Sequence, residues 1–191
     1  MVSLTSKAHK DIPVSGFNLT FTSVNVSQNT YHKAIGRFHT SIPQIVDRGA
    51  VVIWYFTNTS FSISLLTAPN ISSSELGSLL GPWLTSLKQS GIWYASVLKQ
   101  YTSFLEQYQV QQGAIPVGTQ QFRSWVIPRS FVQNNNDNLT AAYRNITEGG
   151  ASVIVVGLNV SQTLHRHGAG GVDEAVLLAW RDALIDTSII T

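Results

Sequence analysis

Between Gly16 and Ser27 the apolar residues Phe17, Leu19 and Phe21 alternate with Asn18, Thr20 and Thr22. A period of two sends successive side chains to opposite faces, so this stretch predicts a strand with one buried side. From Tyr31 the period lengthens, and Ala34, Ile35, Phe38, Ile42, Ile45 and Val46 recur at helical spacing. Pro43 is expected to kink or restart that helix, because it lacks an N–H and crowds the preceding turn, and Gly49 to end it. His32 and His39 fall seven apart on this helix and are expected at its surface. Val51-Val-Ile-Trp-Tyr-Phe56 is almost wholly apolar and suits a central strand. After a turn at Asn58-Thr-Ser60, Phe61, Ile63 and Leu65 alternate with Ser62 and Ser64, the pattern of a hairpin partner.

Ser72-Ser-Ser-Glu75 reads as a capping box, in which the Ser hydroxyl takes a backbone N–H and the Glu reaches back. Leu76, Leu79, Leu80, Trp83, Leu84 and Leu87 then form an apolar stripe that Gly81-Pro82 should bend and Gly91 close. Ile92 to Leu98 is extended in character, a short helix is expected over Tyr101 to Tyr108, and Gly113 to Gly118 is loop. Gln120 to Ile127 alternates again. Pro128 to Thr147 is a helix candidate weakened by Asn134-Asn-Asn136, Ser152 to Leu158 a second central strand, and Trp180 to Ile190 a helical turn or strand. This order predicts an α+β fold: a largely antiparallel sheet with helices packed on one face and the other face open as a ligand or interface surface.

Composition narrows the class. A length of 191 residues fits a single domain over 1–191, with 1–13 as a loose lead-in ending at Pro13. Charged residues are 12% and hydrophobic residues 43%, a globular balance. The formal charge of +2 and the scattered Lys and Arg argue against nucleic acid. No stretch approaches the ~20 apolar residues of a membrane span. The absence of cysteine excludes disulfides and thiolate chemistry. Lys7, Lys10 and Asp11 stand where a signal peptide needs an apolar run, so the expected location, as the sequence stands, is cytoplasmic. Against that, Asn18, Asn25, Asn58, Asn70, Asn138, Asn145 and Asn159 all open Asn-X-Ser/Thr sequons, seven of the eleven asparagines. With Ser and Thr making up roughly a fifth of the chain, chance supplies about two. A Ser/Thr-rich sequence and a secreted, glycosylated ancestor both account for the excess.

Helices can cover only one side of the sheet. The residues expected on the other side are Tyr55, Thr57, Ser62, Ser64, Gln121, Arg123, Trp125 and Asn159, with a one-residue slip inverting each set. Aromatic surface mixed with a few hydrogen-bonding groups suits an organic ligand, and a solvated sheet face also carries such residues. Arg123, Tyr55 and His165 are the catalytic candidates, able to polarise a carbonyl; Arg123 equally fits a surface ion pair. Thr57, Ser62, Ser64, Gln121, Trp125, Asn159 and His167 are the substrate-binding candidates. His165 and His167 share a side if extended and could ligate a metal with Asp173 or Glu174, yet two histidines on a glycine-rich loop are better read as solvent-exposed, so no metal is expected. Gly168 and Gly170 are followed by Asp173 where a dinucleotide loop needs a third Gly, and no phosphate-loop or nucleophile-elbow motif occurs.

The segments Ile53-Trp-Tyr-Phe-Thr-Asn-Thr59, Ser64-Leu-Leu-Thr-Ala68, Ile127-Pro-Arg-Ser130, Asn134-Asn-Asn-Asp-Asn-Leu-Thr-Ala-Ala142 and Gly171 to Ile185, with Ala179-Trp-Arg-Asp-Ala183 inside it, carry a resemblance. In order and spacing the chain, from about Phe17 to Ile190, resembles the substrate-binding, C-terminal half of the berberine-bridge-type FAD-linked oxidoreductases common in fungi. The resemblance implies a seven-stranded antiparallel sheet with helices behind it, whose open face meets the flavin ring. It also implies that FAD is attached through His, often with Cys, in an N-terminal domain that these residues do not include. Members continue past the position of Thr191 into a tail with catalytic aromatic or acidic residues. No cofactor-binding residue carries over, and FAD is expected only if a separate flavin domain is supplied.

Without a hydride acceptor, the expected activity is a cofactor-free cyclase or isomerase of fungal secondary metabolism. A retained pocket would hold the reacting ends of a polyketide or terpenoid together for a Diels–Alder-like cyclisation, an isomerisation or a dehydration. The alternatives are a binding module that completes a flavin oxidoreductase site with a separate FAD-binding chain, and an inactive truncated fragment. The expected partner is a small organic substrate, and the open face leaves room for a homodimer.

Overall fold

The computed structural model describes residues 10–111, 122–160 and 178–191. The order along the chain is β1 (Val14–Thr22), α1 (Gln28–Val46), β2 (Val51–Phe56), β3 (Ser60–Pro69), α2 (Ser73–Gln89), β4 (Tyr94–Tyr101), α3 (Phe104–Gln111), β5 (Phe122–Pro128), α4 (Arg129–Asn134), α5 (Asn136–Glu148), β6 (Ser152–Gly157) and β7 (Ala183–Ile190), with a short 3-10 turn at Leu178–Arg181 before β7. The strands form one sheet in the order β4-β1-β3-β2-β6-β7-β5. Every pairing is antiparallel. The α+β expectation holds, and the undecided stretch before Ile190 is a strand. The lead-in expectation falls mostly outside the described residues; Lys10 to Pro13 carry no regular structure.

Apolar periodicity accounts for the packing of the helices. On α1, Phe38, Ile42, Ile45 and Val46 are fully buried, and on α2 so are Leu76, Leu80 and Leu87. Both helices begin at a serine: the Oγ of Ser27 accepts from Thr30 N–H at 3.1 Å, and that of Ser72 from Glu75 N–H at 3.2 Å. Only half of the capping box forms, because the Glu75 carboxylate turns outward to pair with Arg48. Pro43 lies inside α1 and Pro82 inside α2, and neither ends its helix. Each proline forfeits one N–H bond, but both helices bury a continuous stripe across that turn, and burial outweighs the loss. The asparagine run does break its helix, since Asn135 departs from helical geometry (φ −132°) between α4 and α5.

The core lies between the sheet and α1, α2 and α5. Phe21 stacks on Phe61 at 4.8 Å, while Phe38 meets Trp54 edge-on at 5.2 Å and Phe61 at 5.5 Å. The expectation for α1's histidines is corrected: His32 is 3% exposed and His39 0%. His39 packs against Trp54 at 5.8 Å and Tyr143 at 5.4 Å. A helix this deeply buried presents more than a narrow stripe to its neighbours, so histidines beside the apolar positions go inside as well.

Candidate functional site

Because partners directly across a ladder share a face, the registers fix what each side of the sheet displays. Trp54, Val155 and Thr187 lie in one row with Trp125, and the Thr187 hydroxyl meets Tyr143 of α5, so this row is on the helix side. On the other side one row runs Ala95, Thr20, Ser62, Tyr55, Ile154, Ser188, Ser124. Its neighbour runs Leu65, Ile53, Val156, Asp186, Val126. Tyr55 stands in the middle of this open face and is 42% exposed. The hydroxyls of Ser124 and Ser188 hydrogen-bond at 2.6 Å.

The structure sorts the ten residues nominated from the sequence. Tyr55 and Ser62 face each other across the β2–β3 ladder on the open side. Ser64 sits at a bulge: both neighbouring strands skip a residue there, so β3 carries one residue more than either partner. Its Oγ donates to the Ile53 carbonyl at 3.1 Å, which makes it a brace for the bulge. Thr57 caps the β2–β3 turn, with its Oγ1 accepting from Thr59 N–H at 3.2 Å and Ser60 N–H at 3.1 Å.

Arg123 and Trp125 are corrected in orientation. They pair with Ile189 and Thr187, on the helix side, while Ser124 and Val126 face the open side. The alternation of β5 was legible, but its sense was not. β5 is an edge strand, and Trp125, 57% exposed, gives no burial signal to set the sense. Asn159 is corrected too: its amide donates to Asp47 at 2.7 Å at the end of α1, where Arg129 holds the same carboxylate through two guanidinium nitrogens, at 3.1 and 2.5 Å. Gln121, His165 and His167 lie outside the described residues.

Two features went unnoticed in the sequence. Asp186 is the only acidic residue in any described strand, placed on the open face between Val156 and Val126. Burial among these neighbours pushes its carboxyl above the usual range. A lone acid inside Ala183-Leu-Ile-Asp-Thr-Ser-Ile-Ile190 was the signal that could have found it. The other feature is where α3 packs: the short helix expected over Tyr101 to Tyr108 forms over Phe104–Gln111 and lies on the open side, opposite the remaining helices. Gln107, fully buried, donates to the Leu66 carbonyl at 3.0 Å and to Gln111 Oε1 at 2.7 Å. Gln111 donates to Asn18, and Asn18 to the Ser64 carbonyl at the bulge. This relay ties one end of the face to a short wall.

Gly16 makes room for that wall. A Cβ on it would stand 2.7 Å from both Gln107 Nε2 and Gln111 Oε1 and 2.8 Å from the Tyr101 ring. The glutamine ends can swing away only by giving up the bond to Leu66. Gly16→Val is therefore expected to cost ~1–3 kcal/mol, as overpacking does. Amide exchange should accelerate at least tenfold over 104–111 while the protection of β2 and β6 persists. Unchanged exchange in α3 would show that Gly16 does not seat it.

The arrangement can grip a flat organic molecule: an aromatic ring and aliphatic side chains form the floor, hydroxyls line it, and one carboxyl can accept or return a proton. The two rows that carry Tyr55 and Asp186 hold no cation for a pyrophosphate, and Lys99 lies 4.8 Å over the Tyr101 ring at the far edge of the sheet. Among the described residues no cluster of three or more metal-ligating side chains occurs, and no helix is long and apolar enough to cross a membrane.

The seven-stranded sheet and its helices superpose on part of the VAO-type flavoprotein MtVAO615 from Myceliophthora thermophila C1, with a TM-score of 0.81 at 24% identity over 94% of this chain and 33% of that one. The chain is related to the substrate-binding portion of fungal FAD-linked oxidoreductases. It is 32% identical over 192 residues to the FAD-linked oxidoreductase patO of Aspergillus clavatus, covering 99% of this chain and 33% of that protein. It is 28% identical over 200 residues to the bifunctional decalin synthase calF of Penicillium decumbens, covering 100% of this chain and 34% of that protein. The chain thus spans about a third of the length of the curated relatives it matches. No protein-family model matches the sequence.

Proposed function

We propose that this chain is the substrate-gripping wall of a fungal FAD-linked oxidoreductase of secondary metabolism. The observation that carries the reading is the open face itself. Tyr55, Ile53, Ile154 and Val156 form a half-exposed apolar floor, flanked by Ser62, Ser188 and Ser124 and by the carboxyl of Asp186. Such a floor binds one side of a planar substrate and needs an opposing surface to shut out water. The flavin, when bound by residues outside these 191, supplies the hydride acceptor. Asp186 is suited to proton transfer at the substrate, because burial brings its carboxyl nearer the working pH. Arg123 leaves the catalytic set, and Trp125 and Asn159 leave the substrate-binding set. Tyr55, a catalytic candidate, and Ser62, a substrate-binding one, both stay on the open face as contact residues.

The test is amide shift mapping of the chain with a panel of planar aromatic acids and linear polyenes. Shifts should gather at Tyr55, Ser62, Ile154, Asp186 and Ser188, and Tyr55→Ala should weaken binding about tenfold, the loss expected for removing roughly 1.5 kcal/mol of buried aromatic contact. Shifts confined to the helix side would refute the reading.

A second reading, cyclisation without flavin, draws support from the match to the bifunctional decalin synthase. It requires the face to fold a polyene unaided. Turnover of a linear polyene to a ring by the colourless chain would favour it; recovery of the polyene unchanged would leave the wall reading standing alone.

A further inference from the structure

The fold divides the seven sequon asparagines into two groups. Asn25 and Asn70 occupy exposed turns in the left-handed region, with φ of 66° and 55°. Each stands two residues ahead of the serine that caps a helix, Ser27 for α1 and Ser72 for α2. Asn138 and Asn145 lie two turns apart on α5 and are both exposed. None of these four side-chain amides has a hydrogen bond among the described residues. Of the other three, two are engaged in hydrogen bonds and one is half-buried. Asn18 is locked between Gln111 and the Ser64 carbonyl. Asn58 is half-buried beside His32 with its Oδ1 enclosed. Asn159 donates to Asp47.

We propose that Asn25, Asn70, Asn138 and Asn145 carry N-linked glycans, and that this protein therefore passes through a secretory pathway. At each site the amide nitrogen would attack the anomeric carbon of a lipid-pyrophosphate-linked oligosaccharide. A C–N bond forms, the C–O bond to the pyrophosphate breaks, and one amide proton is released. The positions favour it. Asn25 follows β1 at one end of the sheet, Asn70 follows β3 at the other, and the α5 pair covers the back. Asn18, the sequon on the open face, is engaged at both its amide nitrogen and its carbonyl oxygen. The sugars would leave the open face bare.

Turn geometry alone explains asparagine at two of the sites, because this residue tolerates left-handed backbone, and helix capping explains their serines. Neither reason applies within α5, where asparagine is a poor helix former. Asn138 and Asn145 are the discriminating pair.

The experiment is peptide mass spectrometry on the protein isolated from the cells that make it, after peptide N-glycosidase treatment in heavy-oxygen water. The expected result is labelled aspartate at positions 25, 70, 138 and 145 and unlabelled asparagine at 18, 58 and 159, with four steps of gel mobility lost on deglycosylation. Unlabelled Asn138 and Asn145, or label at Asn18, would overturn the proposal.

Discussion

At pH 4 the His39→Leu variant is expected to be more stable than the native chain by roughly 3 kcal/mol, whereas at pH 7.5 the two should differ far less. His39 is fully buried, and both its ring nitrogens lack a hydrogen-bond partner among the described residues. Its neighbours are Phe38, Trp54, Phe56 and Tyr143, with no charged side chain among its ring contacts. Burial alone pulls the imidazole pKa from 6.5 down to about 3. The native state therefore holds it neutral, while the unfolded chain takes up a proton below pH 6.5. Above that value His39 contributes no pH dependence. Between 6.5 and 3 it withdraws ~1.4 kcal/mol of stability per pH unit, and below 3 both states are protonated and the loss stops.

Leucine has a similar volume and no polar atoms to leave unpaired, so it should be neutral or stabilising at neutral pH. His32, also lowered by burial, acts in the same direction and is present in both proteins, as are the carboxylates. The difference between the two urea curves across pH isolates His39. A difference that stays constant from pH 7.5 to 4 would mean that the imidazole reaches water or a hidden partner.

Trp54→Ala should be the most damaging single change in the core. The indole is 0% exposed and meets Phe38 at 5.2 Å and His39 at 5.8 Å. It also closes over Gly157, whose missing Cβ would stand 3.1 Å from the Trp54 ring. Emptying this space costs ~3–5 kcal/mol, a large share of the 5–15 kcal/mol that holds a domain together. Trp54→Phe should cost clearly less. It leaves a smaller void and removes an indole N–H that has no partner among the described residues. Urea midpoints in the order native, Trp54→Phe, Trp54→Ala, with wide spacing before the last, are the expected result. Equal losses for the two variants would show that the N–H is bonded and that its loss dominates.

Periodicity, caps and turns carried the elements, because each is a local property. The alternation of β1, the stripes of α1 and α2 and the Ser72 cap all depend on residues within a few positions of one another. The apolar run of β2 announced a central strand for the same reason. The open face depended on pairings between β5, β7 and β6 across dozens of residues. Arg123 and Trp125 could therefore alternate correctly and still point the wrong way, while Asp186 stayed hidden in a segment whose class was undecided.

The sequence by itself determined the class of fold, the order of its elements, the kinship to flavin-linked oxidoreductases and a sheet with one face to spare. Only the tertiary structure decided which side chains that face displays, that α3 walls one end of it over Gly16, and that two histidines of α1 lie inside. Local spacing specifies parity, and parity has two senses. The choice between them is made by long-range partners, such as Thr187 against Tyr143, that no short window of sequence contains.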